Sequence, residues 1–190
     1  MKSCFYFIAT LICFTFLSPA QVQAKGDKNN NYLLSLNEKT GKYAFDSVYI
    51  FDSTTITQEQ AYNSLKNYVV SNLKTSDNNI MADDKNHSEI LNTGNLLLKP
   101  IKGAGWSIPN ALINFKVHVY VKAGRYKVII DNVAYVAENM APEPNVGNYD
   151  QLRDNVVARK FKGAVNDALN DFVSGLQQSV GTPGADSEKW

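Results

Sequence analysis

Between Leu112 and Val136 two runs of alternating apolar and polar residues meet at Lys122-Ala123-Gly124-Arg125, and no other stretch restricts the fold as much. A period of two is the strand period, so the segment is an antiparallel hairpin with one apolar and one wetted face. Pairing Val121 with Tyr126 sets Val119 against Val128, Val117 against Ile130, Phe115 against Asn132 and Ile113 against Ala134. A slip of one residue would bring Val119 beside Lys127 and mix charge into the apolar face, which the pattern disfavours. A two-residue primed turn would require a positive φ of Ala123, a conformation that suits Gly124 alone. Four loop residues, Lys122 to Arg125, are therefore expected.

The other face carries Leu112, Asn114, Lys116, His118, Tyr120 and Lys122 against Tyr135, Val133, Asp131, Ile129, Lys127 and Arg125. It is mixed in character, as an open sheet surface would be. Lys116 and Asp131 fall directly opposite, a cross-strand ion pair worth about 0.2–1 kcal/mol.

The rest of the chain must supply a cover for the apolar face. Tyr43 to Asp52 alternate, with Tyr43, Phe45, Tyr49 and Phe51 on one side and Val48 and Ile50 on the other, which predicts a strand. Thr57 followed by Gln60 has the form of a capping box, and Ala61, Tyr62, Leu65, Val69 and Leu73 then recur at helical spacing, predicting a helix over Gln58–Leu73. Asn79–Asp83 and Ser88–Leu98 read as a hairpin around the polar turn 84–87. Pro100, Gly103, Gly105 and Pro109 predict an unpaired loop over Lys99–Asn110, and Pro142, Pro144 and Gly147 a connection over Glu138–Asn148. Leu152, Val156, Phe161, Val165, Leu169, Phe172, Leu176 and Val180 mark one stripe of a second helix, about Asp150–Gln178, weakened at Gly163 and Gly175. Strand, helix, four strands, helix describes an α+β domain of two layers: a curved antiparallel sheet of about five strands (β-α-β-β-β-β-α) with two helices on one face.

The amino terminus reads as an address. Lys2 precedes a 13-residue apolar run, Phe5–Leu17, and Ser18-Pro19 breaks it before Val22-Gln23-Ala24. As a helix this run rises only about 20 Å, short of the ~30 Å hydrocarbon layer, so the expectation is an export signal with cleavage at Ala20 or Ala24 and no stable membrane span afterwards. The organisation expected is a signal peptide at 1–24, a linker at 25–40, the α+β domain at 41–180 and a flexible tail at 181–190. Cys4 and Cys13 both fall in the signal, so a periplasmic or secreted product would have no thiol, no disulfide and no cysteine-based zinc site. Thr10-Leu11-Ile12 before Cys13 lacks the small residues of a lipoprotein signal, which favours a soluble form.

Composition narrows the function. The chain of 190 residues is 44% hydrophobic and 19% charged, a globular balance, and without the signal it has 18 basic and 18 acidic residues. Nucleic-acid binding needs clustered excess cations, so no nucleic-acid partner is expected.

Several of these segments resemble a known family: the exported bacterial domain of unknown function with a TBP-like (TATA-box-binding-protein-like) fold, typical of Bacteroidetes. The resemblance spans about Tyr43–Val136 and rests on Gly41-Lys42-Tyr43-Ala44-Phe45, on Tyr62 and Leu65 in a helix after Thr57, and on Val121-Lys122-Ala123-Gly124-Arg125-Tyr126-Lys127 followed by Ile130-Asp131-Asn132-Val133. It implies a curved antiparallel sheet with two helices on its convex face and no known activity. TATA-box recognition uses a duplicated basic saddle, whereas this chain has one copy, so the fold name carries no DNA-binding expectation.

Candidate chemistry is sparse. Asp83, Asp84 and His87 could hold a divalent metal at a hairpin turn, although Asp, Asn and His also serve turns by satisfying local backbone groups. His118, among Lys116, Tyr120, Lys127 and Asp131, could act as an acid or base or simply sit on a solvated face. Gly103-Ala104-Gly105-Trp106 lacks the flanking strand and helix of a phosphate loop; Trp106 is expected to pack against the domain, with a partner anchor as the alternative. Tyr43, Phe45, Tyr49 and Phe51 are expected to pack within the sheet layers rather than form a glycan platform. No serine sits in a Gly-x-Ser-x-Gly elbow, and no segment nominates paired carboxylates. The expected function is that of a non-enzymatic module binding an envelope protein, peptide or glycan through Lys116, His118, Tyr120, Lys127, Asp131 and Tyr135, without a cofactor. A metal-dependent hydrolase of the envelope is the alternative.

Overall fold

The structure, a computed structural model, describes residues 32–73, 80–84, 88–137 and 145–181. The signal peptide, His87, the greater part of 138–148 and the tail beyond residue 181 lie outside the described residues.

The five expected strands are present and extended by shorter ones. In chain order the elements are β1 (Ser35–Asn37), β2 (Lys42–Ile50), α1 (Gln58–Asn72), β3 (Ile80–Asp84), β4 (Glu89–Leu97), β5 (Ile101–Gly103), β6 (Trp106–Ile108), β7 (Ala111–Lys122), β8 (Arg125–Ala137), β9 (Asn145–Asn148), a 3-10 turn (Tyr149–Gln151) and α2 (Val156–Gly181). One antiparallel sheet runs β1-β2-β8-β7-β4-β3, and β9 pairs with the far end of β8, while β5 and β6 make a separate ribbon. The strand before α1 finds its partner in β8, with Phe45 opposite Ile130 and Tyr49 opposite Tyr126.

The valine parity holds: Val117, Val119 and Val121 are buried, with Val128 and Ile130 beside them. Both helices cover that face. From α1 come Ala61, Tyr62, Leu65 and Val69, and from α2 Phe161, Val165, Leu169, Phe172, Val173, Leu176 and Val180, all buried. Phe115 meets Phe172 edge to face at 5.6 Å, tying β7 to α2 at the centre of the core. The aromatic residues of β2 and the segment after it also face the helices, with Tyr49 stacked on Tyr126 at 5.2 Å and Tyr43 against Tyr149 at 5.3 Å. The capping box forms as read, Thr57 Oγ1 accepting from the Gln60 amide and Gln60 Oε1 accepting from the Thr57 amide.

Five expectations are corrected. The hairpin register holds from Lys122–Arg125 to Lys116–Asp131, but Asn114 then pairs with Ala134 rather than Phe115 with Asn132 and Ile113 with Ala134. The cause is a bulge: Asn132 adopts φ +52°, so Asn132 and Val133 together oppose Phe115, and the parity of β8 reverses beyond it. Val133 is consequently buried, and Ile113 pairs with Tyr135. The turn holds two residues, not four, because only Gly124 takes a positive φ (+73°), as in a type II turn, and Ala123 is asked for nothing unusual.

Lys99–Asn110 is not an unpaired loop: β5 and β6 pair around Gly105 (φ +76°) and bury Ile101 and Ile108. The described part of 25–40 is likewise anchored rather than a linker, since Leu34 is buried, β1 pairs with β2, and the Leu33 amide donates to Asn166 Oδ1 of α2 at 2.6 Å. The second helix starts at Val156, six residues later than its stripe predicts, because Asn155 Oδ1 accepts the Ala158 amide and caps it there; Val156 itself is exposed.

Candidate functional site

With one sheet face filled by helices, the opposite face of the same strands is the surface left for recognition. The register arranges it in cross-strand rows. Val48, Lys127, Tyr120 and Glu89 form one row across β2, β8, β7 and β4, and Asp46, Ile129, His118 and Leu91 form the next. Ile50, Arg125 and Lys122 lie on one side of these rows and Asp131, Lys116 and Thr93 on the other.

Side-chain contacts run along and between the rows. Lys127 Nζ lies 2.9 Å from Asp46 Oδ2, a diagonal ion pair between β8 and β2 with both partners about half exposed. At that exposure it contributes about 0–1 kcal/mol and mainly fixes the direction of the lysine. The His118 and Tyr120 rings stack at 6.3 Å. Burial, the Glu89 carboxylate beside the hydroxyl and the charge of Asp131 together hold the Tyr120 phenol above its ordinary range, so it is a neutral hydrogen-bonding group. Val48, Tyr120, Lys122, Arg125, Tyr126 and Lys127 line a cleft of about 310 Å³. An apolar floor rimmed by three cations and a neutral phenol can hold an apolar or aromatic group that carries an anionic or hydrogen-bonding substituent.

Five of the six expected site residues, Lys116, His118, Tyr120, Lys127 and Asp131, do lie on this face. Tyr135 does not. The bulge at Asn132 turns it toward α2, where its ring sits 5.0 Å from Phe161 and packs against the core. Lys116 and Asp131 are opposite in register as expected, while among the described residues Lys127 and Asp46 form an ion pair on this face. Asp46, Val48 and Glu89 are the contributors that the hairpin alone could not nominate. The alternation within Tyr43–Asp52 marks Val48 as facing away from the aromatic residues, yet only the β2–β8 pairing brings it beside Lys127.

The metal alternative gains no geometry. Asp83 and Asp84 are consecutive positions of β3, opposite Ile90 and Glu89, and His87 lies outside the described residues. Among the described residues no group of three His, Cys, Asp or Glu side chains is placed to hold a metal ion. His118 Nδ1 is buried with no hydrogen-bond partner among the described residues, so that nitrogen carries none of the orienting contact a catalytic base uses. Trp106 packs against the core from β6, its indole lying where a side chain at Gly103 would be. Among the described residues no helix is long and apolar enough to cross a membrane.

Comparison with known proteins agrees with this architecture. Residues 49–136 match the family model described as a domain of unknown function (DUF4468) with TBP-like fold. A DUF4468 family protein from Bacteroides ovatus superposes with a TM-score of 0.58 at 16% identity, over 82% of this chain and 94% of that one. A TBP-like protein from Parabacteroides distasonis superposes with a TM-score of 0.60 at 11% identity, over 78% and 98%. No curated protein matches the chain. Residues 49–136 are thus similar to the DUF4468 family model, a domain of unknown function, and the antiparallel sheet with both helices on one face has the TBP-like fold.

Proposed function

We propose that the protein is an exported, non-enzymatic binding module that takes an envelope protein, peptide or glycan on the open face of its sheet. One observation carries the reading: Tyr120, Lys127 and Val48, from three different strands, converge on one cleft of a solvent-facing surface while the helices occupy the other face. Export rests on the amino-terminal pattern of Lys2, the apolar run Phe5–Leu17 and the small residues ending at Ala24. No observation on the described residues favours the metal-dependent alternative.

Replacing Tyr120 and Lys127 together by alanine tests the reading. Both are surface positions, so thermal melting should move little. Capture of partners from an envelope extract should be lost. Equal capture by the variant and the parent protein would remove this face from the function.

A further inference from the structure

The hydrogen-bond pattern of β2 leaves one stretch of sheet edge open. The Phe51 amide donates to the Gly124 carbonyl at 3.0 Å, and Lys122 pairs with Arg125 across the two-residue turn. Antiparallel pairs alternate between bonded and non-bonded, so Tyr49, Ser47 and Phe45 exchange hydrogen bonds with β8, while the amides and carbonyls of Asp46, Val48 and Ile50 point away from it. β1 pairs only with Lys42–Ala44, and among the described residues no strand covers Asp46–Ile50. Natural edges of this kind are blunted by charge, proline or a covering element. Here Val48 and Ile50 are 57% and 76% exposed beside it.

We propose that this edge pairs with the same edge of a second copy, antiparallel about Val48, so that the two sheets become one. The register follows by elimination. Only outward-pointing residues can pair, so β2 positions must meet in even steps. Moving one step toward the start of the strand requires Ala44, which β1 already occupies, and one step the other way sets Asp46 against the partner's Asp52. The remaining register sets Val48 against the partner's Val48 and Ile50 against the partner's Asp46. Arg125 pairs with Ile50 from the other side, so the partner's Asp46 arrives one strand away from a cation. The exposed valines and isoleucines meet on the open face. On the helix side the partner's Tyr49 falls opposite Ser47, along a groove of about 490 Å³ lined by residues that include Tyr49, Phe51, Ile56 and Val180. The arrangement is isologous, each copy using the same patch, which closes after two chains.

The chain from Lys25 onward contains every described residue and no cysteine, and serves for the test. Its mass by light scattering should approach twice that of one chain as concentration rises. Val48→Pro removes an amide that β8 does not use, so the variant should melt as the parent does and remain monomeric. Val48→Cys should form a disulfide-linked dimer on oxidation, because bonded antiparallel partners lie about 5.5 Å apart at Cα. A single-chain mass at every concentration, or a dimer indifferent to Val48→Pro, would overturn the proposal. Should the proline variant fail to fold, the cysteine variant decides: a dimeric protein that does not crosslink at residue 48 rejects the register.

Discussion

The Tyr68 hydroxyl of α1 occupies the place that the Cβ of any other residue at 175 in α2 would take. Tyr68 is held there by Phe172, its ring centroid 5.6 Å away. Gly175→Ala must push the tyrosine aside, and overpacking of this kind costs about 1–3 kcal/mol, against a helix-propensity gain of up to about 1 kcal/mol. A Cβ at Gly163, in the same helix, meets nothing within 4 Å. Gly175→Ala should lower the thermal midpoint and Gly163→Ala should raise it. Equal shifts of one sign would show that helix propensity alone governs α2.

The bulge of β8 requires a left-handed residue, which asparagine tolerates and a β-branched residue does not. Asn132→Gly should leave stability near the parent value. Asn132→Val should cost about 1–2 kcal/mol. Urea unfolding of the pair checks this; a valine variant as stable as the glycine one would mean that the left-handed turn of the chain is not needed to bury Val133.

Alkaline pH should unfold the domain through its buried phenols. Burial, reinforced by the neighbouring phenol of Tyr49, raises the Tyr126 hydroxyl far above its ordinary range, and burial with Tyr32, Tyr43 and Asp150 nearby does the same to Tyr149. In the unfolded chain both phenols ionise near pH 10, while in the folded one they stay protonated. The unfolded state therefore loses protons first, and the stability present below pH 10 declines above it by up to about 1.4 kcal/mol per pH unit for each group. Chemical denaturation at stepped pH should show the decline, and Tyr126→Phe with Tyr149→Phe should flatten it. An unchanged slope in the double variant would assign the alkaline loss to other groups.

Thr57→Ala removes one of the two hydrogen bonds of the capping box at the start of α1. The expected cost is about 1 kcal/mol. Gln60→Ala, which removes the reciprocal bond, should cost less because the Thr57 amide is exposed to water. Thermal melts of the two single variants would contradict this ordering if the glutamine change were the larger.

What could be read along the chain was whatever depends on neighbours two, three or four residues apart. The parity of Val117, Val119 and Val121, the stripe of α1 from Ala61 to Leu73 and the Thr57–Gln60 cap all have that range, and each appears in the structure as read. The TBP-like resemblance over Tyr43–Val136 also held, with residues 49–136 matched. The alternation places Tyr135 on the open face, but one left-handed residue, Asn132, exchanges the faces of everything after it, and an Asp-Asn step within an alternating run carries no obligatory turn signal. Residues 99–110 and 32–37 look irregular along the chain because such short strands acquire their order from what they rest on: Lys160 Nζ donating to the Lys102 carbonyl at 2.7 Å, and Asn166 of α2 accepting from the Leu33 amide.

Sequence alone determined which side chains turn inward wherever the period of an element runs unbroken, as in β7 and α1, because burial there follows a local period that water enforces on each element separately. Tertiary structure decided which strands stand side by side. Only the pairing of β2 with β8, made across the intervening helix and hairpins, puts Val48 and Asp46 next to Lys127 and leaves an open edge at Asp46–Ile50. No local period encodes that choice, since it is settled by how all the apolar faces share one core.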